Sequence, residues 1–199
     1  RLLPIPALLS TIVIADVKSA LRLRRVLRRR AQHGIVGRAD RDAVLEFGHL
    51  GDIIRADGEQ WIWTLSEPYG ASDWWPCINH PSSKADSVDV WITCLSKYKA
   101  ASQGKLIASL SNGDSTTTYK WKHRYPIAAY LVSVTLTNFD TFSDWYTYSP
   151  ADSMEVVNYV TPNIGTNNPS YRTNVAKTPS MLQIFSDLFG SYTCIKEKY

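Results

Sequence analysis

The stretch Gln60–Thr93, QWIWTLSEPYGASDWWPCINHPSSKADSVDVWIT, decides how the rest of the chain is read. At its start Trp61, Trp63 and Leu65 alternate with Ile62 and Thr64, the period of a strand half buried on each side. At its end Ser87–Thr93 places Val88, Val90 and Ile92 on one face and Asp89 and Trp91 on the other. A slip of one residue there would carry Asp89 into the core, so the register is well specified. Between the two strands runs a turn-rich passage, Pro68–Ser83, containing Pro76 and Pro81.

Downstream, the same short-period pattern continues. Leu106, Ala108 and Leu110 alternate up to Ser111-Asn112-Gly113-Asp114, and Thr117, Tyr119 and Trp121 return beyond it, which predicts a hairpin turned by Asn-Gly. The segment Ile127–Thr137 is nearly all apolar, and its length and β-branched content predict a central strand buried on both faces. Asp144–Ser149 and Met154–Val160 read as two further strands. Thr161–Lys177, rich in Pro, Gly, Asn, Ser and Thr, reads as a linker and a domain boundary. Thr178-Pro179 then supplies a helix start, Met181, Leu182, Phe185, Leu188 and Phe189 fall at helical spacing, and Gly190 is the stop.

Upstream, the apolar run Leu2–Ala15 ends at Asp16 and Lys18, short of the roughly 20 residues a spanning helix needs. It predicts no membrane span, and it lacks a convincing signal-peptide cleavage site. Read as a helix from Pro6 to Gln32, the leader carries a stripe of Leu9, Val13, Val17, Ala20, Leu23 and Leu27, although the β-branched run from Thr11 to Ile14 opposes that reading. The cluster Arg22–Arg30, RLRRVLRRR, could meet a polyanion or an anionic membrane. No recognition motif or stacking platform accompanies it, so nucleic acid is not expected as a partner and a solvated face is the simpler reading.

The 199 residues, 44% hydrophobic and 20% charged, suit one large domain or two small ones. Their net charge of +4 is confined to the leader: Lys and Arg outnumber Asp and Glu by 11 to 7 before Trp61 and match them 11 to 11 from there on. Cys77, Cys94 and Cys194 are odd in number and far apart, which argues against a cysteine metal site. A Cys77–Cys94 disulfide would require export, and buried free thiols are the favoured state. Cytoplasmic and periplasmic locations both stay open. His33, His49, His80 and His123 are scattered, and His80 reads as part of a surface turn. Asp86 and Asp89, three apart at a strand entry, face opposite ways and make no acid/base pair.

The blocks SEPYG, WWPC and KADSVD, followed by YKWKHRYPIAAYLVSVTLTNF, DSMEVVNYV and TPSMLQIFSDLFGSYTCIKEKY, occur in an order and spacing that resembles the N-terminal domain of M1 family zinc aminopeptidases. The resemblance covers roughly Glu59 to Tyr199 and leaves out the leader. It implies a mainly β fold, a twisted antiparallel sheet packed as a saddle or sandwich, here with an N-terminal helical leader and a short C-terminal helix. The domains then read as a basic leader over 1–57, a β domain over 58–160, a linker over 161–177, and over 178–199 the first helix of a catalytic domain that lies beyond this chain.

In such enzymes His-Glu-x-x-His on a helix binds zinc, yet neither that motif nor Gly-x-Met-Glu-Asn occurs here. The chain is therefore expected to be a fragment that does not cleave peptides alone, with zinc and its ligands in the absent catalytic domain. What the resemblance assigns to this domain is Glu67, at the position whose carboxylate grips the free α-amino group of a peptide substrate. An ammonium with three donors suits a cleft carboxylate, while taken alone Glu67 reads rather as a cap of the turn before Pro68, and it is the resemblance that favours the substrate role. Ser72 stands where most members carry Arg, and Asn79 and His80 where an Asp followed by Glu or another residue is usual, so the ion pair expected of that Arg and Asp, which would stiffen the loop aiming Glu67, is missing; Cys194 stands where an aromatic is common. His123 and Arg124 are expected to be structural, held by carboxylates. The rival reading is a carbohydrate- or protein-binding β-sandwich module using Trp61, Trp63, Trp74, Trp75 and Trp91, which would need Trp74 and Trp75 exposed and coplanar. Core packing is favoured for that pair.

Overall fold

The computed structural model describes residues 9–14, 49–162 and 168–199. Among these described residues, twelve strands and two helices follow in chain order: β1 Leu9–Ile14, β2 His49–Ile54, β3 Gln60–Leu65, β4 Lys84–Ala85, β5 Ser87–Leu95, β6 Lys99–Ser102, β7 Lys105–Ser111, β8 Thr116–His123, β9 Ile127–Ala128, β10 Val134–Thr137, β11 Asp140–Thr147, β12 Ser153–Val160, α1 Pro169–Val175 and α2 Thr178–Phe189. Two four-stranded sheets, ordered β1-β5-β8-β7 and β2-β3-β10-β6, carry most of the fold, and smaller pairs join β11 to β12 and β4 to β9. Every pairing between these strands is antiparallel except β1 with β5.

The alternation in β5 does what its sequence dictates. Val88, Val90 and Ile92 are fully buried, and they form one core with Trp121 of β8 and, from the other sheet, Ile62, Ala100, Val134 and Leu136. Burial of each such aliphatic side chain contributes about 1.5–3 kcal/mol. The two sheets are therefore packed as a sandwich. They are also tied by polar bonds: Trp121 Nε1 donates to the Ala100 carbonyl at 3.2 Å, and the Tyr119 hydroxyl to the Tyr98 carbonyl at 3.0 Å.

Several expectations change. Of the helix expected over Pro6–Gln32, the described part is β1, a strand in register with β5 from Leu9↔Ser87 to Ile14↔Ile92. Four consecutive β-branched residues from Thr11 to Ile14 suit a strand better than a helix. The rest of that expected helix and the cluster Arg22–Arg30 lie outside the described residues. The β structure also begins upstream of residue 58, because β2 pairs with β3 along its whole length. Gly51 faces Trp63 there, and a Cβ at Gly51 would collide with the indole, so only glycine fits under that ring.

Ile127–Thr137 is not one strand. It divides into β9, a 3-10 turn over Ala129–Leu131, and β10, because β9 pairs with β4 while β10 enters the second sheet between β3 and β6. Its burial was foreseeable, since Ile127, Val132, Val134 and Leu136 are all in the core, but a mostly apolar run whose few polar residues, Ser133, Thr135 and Thr137, all lie past the break carries no mark of where it bends. The β7–β8 hairpin forms, with a longer turn than a two-residue Asn-Gly loop: Ser111 pairs with Thr117, the Asn112 amide donates to the Thr116 carbonyl, and positive φ falls on Gly113 and Ser115. Within Thr161–Lys177, expected as a linker, Pro169–Val175 is α1, capped by Asn168, whose side chain accepts from the Tyr171 amide at 3.0 Å.

The helix α2 forms and stops at Gly190 as expected. It buries Leu182 against Tyr146, Met154 and Val156 of the β11–β12 ribbon, a second, smaller core. Its other apolar residues, Met181, Ile184, Phe185, Leu188 and Phe189, remain exposed, Phe189 at 82%. Beyond α2 the chain returns along β12, with the Tyr199 amide donating to the Glu155 carbonyl and the Val157 amide to the Tyr199 carbonyl.

Glu197 locks this return to the sandwich. It is buried, its Oε2 lies 2.6 Å from His123 Nδ1, and its Oε1 accepts from the Arg124 amide at 2.6 Å. Arg124 in turn pairs with Asp89 at 2.6 Å. His123 and Arg124 are thus held by carboxylates as the sequence suggested. Replacing Glu197 by Ala strands a buried imidazole and a backbone donor, so urea unfolding is expected to show a loss of roughly 3 kcal/mol; a change within about 0.5 kcal/mol, the size of an ordinary surface substitution, would contradict this role.

Candidate functional site

After Leu65 the chain leaves the second sheet and makes a compact turn before re-entering the core. The Ser66 carbonyl accepts from the Gly70 amide at 2.9 Å, and the Ser66 hydroxyl oxygen accepts from Trp74 Nε1 at 2.7 Å. Ala71, fully buried, opens a 3-10 turn over Ala71–Asp73, and its carbonyl accepts from the amides of Trp74 and Trp75. Trp75, only 8% exposed, and the partly buried Trp74 anchor the far side of the turn in the main core. A third tie comes from the Asn79 side-chain amide, which donates to the Tyr69 carbonyl.

Glu67 sits at the crest of this anchored turn, joined to Pro68 by a cis peptide bond. Glu67 and the neighbouring Tyr69 are exposed. Among the described residues none forms a hydrogen bond or ion pair with the Glu67 carboxylate, so it does not cap the turn. Backbone and buried groups shape the turn, and the carboxylate is left for a group arriving from outside. Such an acceptor can take a charge-assisted hydrogen bond from a cationic donor.

The departures noted in the sequence have local answers. Ser72 supplies no cation, but Ser66 and Asn79 hold the loop by hydrogen bonds instead. Ser66 did not stand out in the sequence, because Ser in a Pro-rich loop is an ordinary turn former, and Asn79 stood out only as a departure, not as a tie. His80 lies in a surface turn, its Nδ1 near the Ser82 hydroxyl at 2.7 Å and accepting from the Ser82 amide. Asp86 is exposed, whereas Asp89 is engaged by Arg124, so the two do not work together.

The tryptophans do not form a flat platform. Trp74 and Trp75 are inclined by 54° with centroids 6.1 Å apart; Trp75 belongs to the core and Trp74, partly buried, packs against it. Behind the turn is a cavity of about 220 Å³ lined by Trp75, Pro76, Cys77, Ile78, Lys84 and other mainly apolar groups. Cys77, Cys94 and Cys194 are free. Burial pushes the Cys94 thiol up to about 11 and also raises Cys77, so neither is an activated nucleophile. Among the described residues there is no group of three or more His, Cys, Asp or Glu able to hold a metal ion, and no helix is long and apolar enough to cross a membrane. A zinc ion therefore does not fit the described residues.

Residues 54–131 match a family model described as the Peptidase M1 N-terminal domain. Among solved structures, the chain is similar to a two-domain M1 zinc metallopeptidase point mutant bound to L-tryptophan, at 23% identity and a TM-score of 0.58 over 68% of this chain and 30% of that one. It is similar also to an M1 zinc metallopeptidase from Deinococcus radiodurans, at 22% identity and a TM-score of 0.56 over the same shares. A mutant of the Deinococcus radiodurans enzyme bound to a Tyr-Ser-Ala substrate gives 22% identity and a TM-score of 0.58 over 78% of this chain and 34% of that one. At such identities the likeness is one of fold. The chain spans about a third of the length of these structures. Among curated proteins none matches it.

Because Trp74 hangs on Ser66, changing Ser66 to Ala leaves an indole N–H without its acceptor. The expected cost is about 1–3 kcal/mol in denaturant unfolding, with a shift in tryptophan fluorescence; unchanged stability and emission would show that the bond does not hold the turn.

Proposed function

We propose that this chain, whose residues 54–131 are an M1 peptidase N-terminal domain, serves a zinc aminopeptidase by binding the substrate's α-amino group through Glu67 and forming one wall of the substrate cleft. The observation that carries the reading is an exposed carboxylate on a turn whose backbone and tryptophans are fixed by the core, while no described residue engages the carboxylate itself. A turn held that way keeps its geometry when a substrate binds, so little ordering cost falls on recognition. The donor it suits is an α-ammonium at a peptide's free end, which an N-acylated peptide does not offer.

Zinc belongs in this proposal to residues outside those described, and no catalytic step is assigned to this domain. The exposed stripe on α2, Met181, Ile184, Phe185, Leu188 and Phe189, is assigned to contact with the catalytic domain, because an amphipathic helix that buries only Leu182 on its own domain has an apolar face left to cover. The tilted, core-bound Trp74–Trp75 pair weighs against the alternative of a carbohydrate-binding module.

The test is the Glu67→Ala substitution in the polypeptide that includes the catalytic domain. With a charge-assisted hydrogen bond worth about 1.5–3 kcal/mol, kcat/KM for peptides with a free N-terminus is expected to fall by roughly 10- to 100-fold, while thermal stability stays unchanged. Full activity in the folded variant would refute the proposal.

A further inference from the structure

A cleft of about 410 Å³ opens elsewhere on the domain, between the β7–β8 edge of the first sheet and the β11–β12 ribbon, and the C-terminal segment closes one side of it. Trp121 and Tyr159 lie at its base in edge-to-face contact, and Trp145, 59% exposed, stands in its wall. None of these groups takes part in the Glu67 turn.

The charged groups of the cleft are unequally satisfied. Glu197 spends both oxygens on His123 and the Arg124 amide, and Glu155 accepts from the Ser143 hydroxyl at 2.5 Å. The Lys198 amine instead lies 4.9 Å from the centroid of the Trp121 ring, and among the described residues it has neither a hydrogen-bond acceptor nor a carboxylate within ion-pair distance. Glu155 and Glu197 act on it only through space, and burial lowers its pKa from the usual amine range. A largely enclosed ammonium with three donors and only a ring beneath it gains from an incoming anion. Lys105 adds a second amine to the lining, and Leu106 and Val157 add apolar surface.

We propose that this cleft is a binding site for a small aromatic carboxylate, its acid group held by Lys198 and its ring packed against Trp145. The volume lies within the range of about 300–1,000 Å³ usual for small-molecule sites, and a flat ring suits a wall built from indole. The carboxylate supplies the acceptor that the amine lacks.

The test titrates the full chain with 2-naphthoate and, separately, with its neutral analogue 2-naphthamide, following tryptophan fluorescence. Naphthoate is expected to bind about tenfold more tightly than naphthamide. Lys198→Met should remove that preference while keeping the apolar stem, and Trp145→Ala, at an exposed position, should weaken both probes. The absence of saturable naphthoate binding, equal affinity for the two probes, or an undiminished preference in folded Lys198→Met would each overturn the proposal. Should Lys198→Met fail to fold, the wild-type comparison and Trp145→Ala decide it, since neither depends on that variant.

Discussion

The interlocking of β5 and β8 with the opposite sheet is the constraint on which the rest depends. Val88, Val90 and Ile92 can reach Ile62 and Leu136 only in one register, and shifting it by one would bring Asp89 inward and part it from Arg124. The same layer contains the Trp121 donor that bridges the sheets and the Trp75 anchor of the turn after β3. The Glu67 crest therefore inherits its position from the core. Its backbone is fixed by Ser66, Ala71 and Trp74 before any ligand arrives.

What was legible in the sequence follows from how local each signal is. Period-two alternation identified β3, β5 and β8 because each has one face toward the opposite sheet, and it identified β7 too, although that edge strand stays largely exposed and is held by its pairing with β8. The divided Ile127–Thr137 segment was not legible, since its break comes from the chain changing sheets, from a partner in β4 to partners in β3 and β6. β2 was missed for a similar reason: its place rests on Gly51 lying beneath Trp63, a cross-strand fit with no local pattern. α1 was hidden in a composition rich in turn formers, where Asn168 followed by Pro169 is a helix start only when the chain goes on to form a helix.

The site was half legible. That a carboxylate stands at the turn is plain from the residues, yet sequence alone did not separate a turn cap from a free acceptor, and family likeness made the assignment. The structure separates them, because Ser66, Asn79 and the backbone already supply the turn's bonds. The Glu197 clamp could not have been read, since it joins residues 74 apart through a carboxylate that looks like any charge in a polar tail. With Lys198 beside it, that tail is part of the fold, and the cleft it closes exists only because the chain returns along β12.

The most direct measurement of the central claim is a crystal structure of this chain together with the catalytic domain proposed for it and a bound peptide carrying a free N-terminus. The account predicts the Glu67 carboxylate within about 2.7–3.2 Å of the peptide's α-nitrogen, with the Ser66–Trp75 turn unmoved. A peptide whose α-nitrogen is held by other residues, with Glu67 turned to solvent, would contradict it.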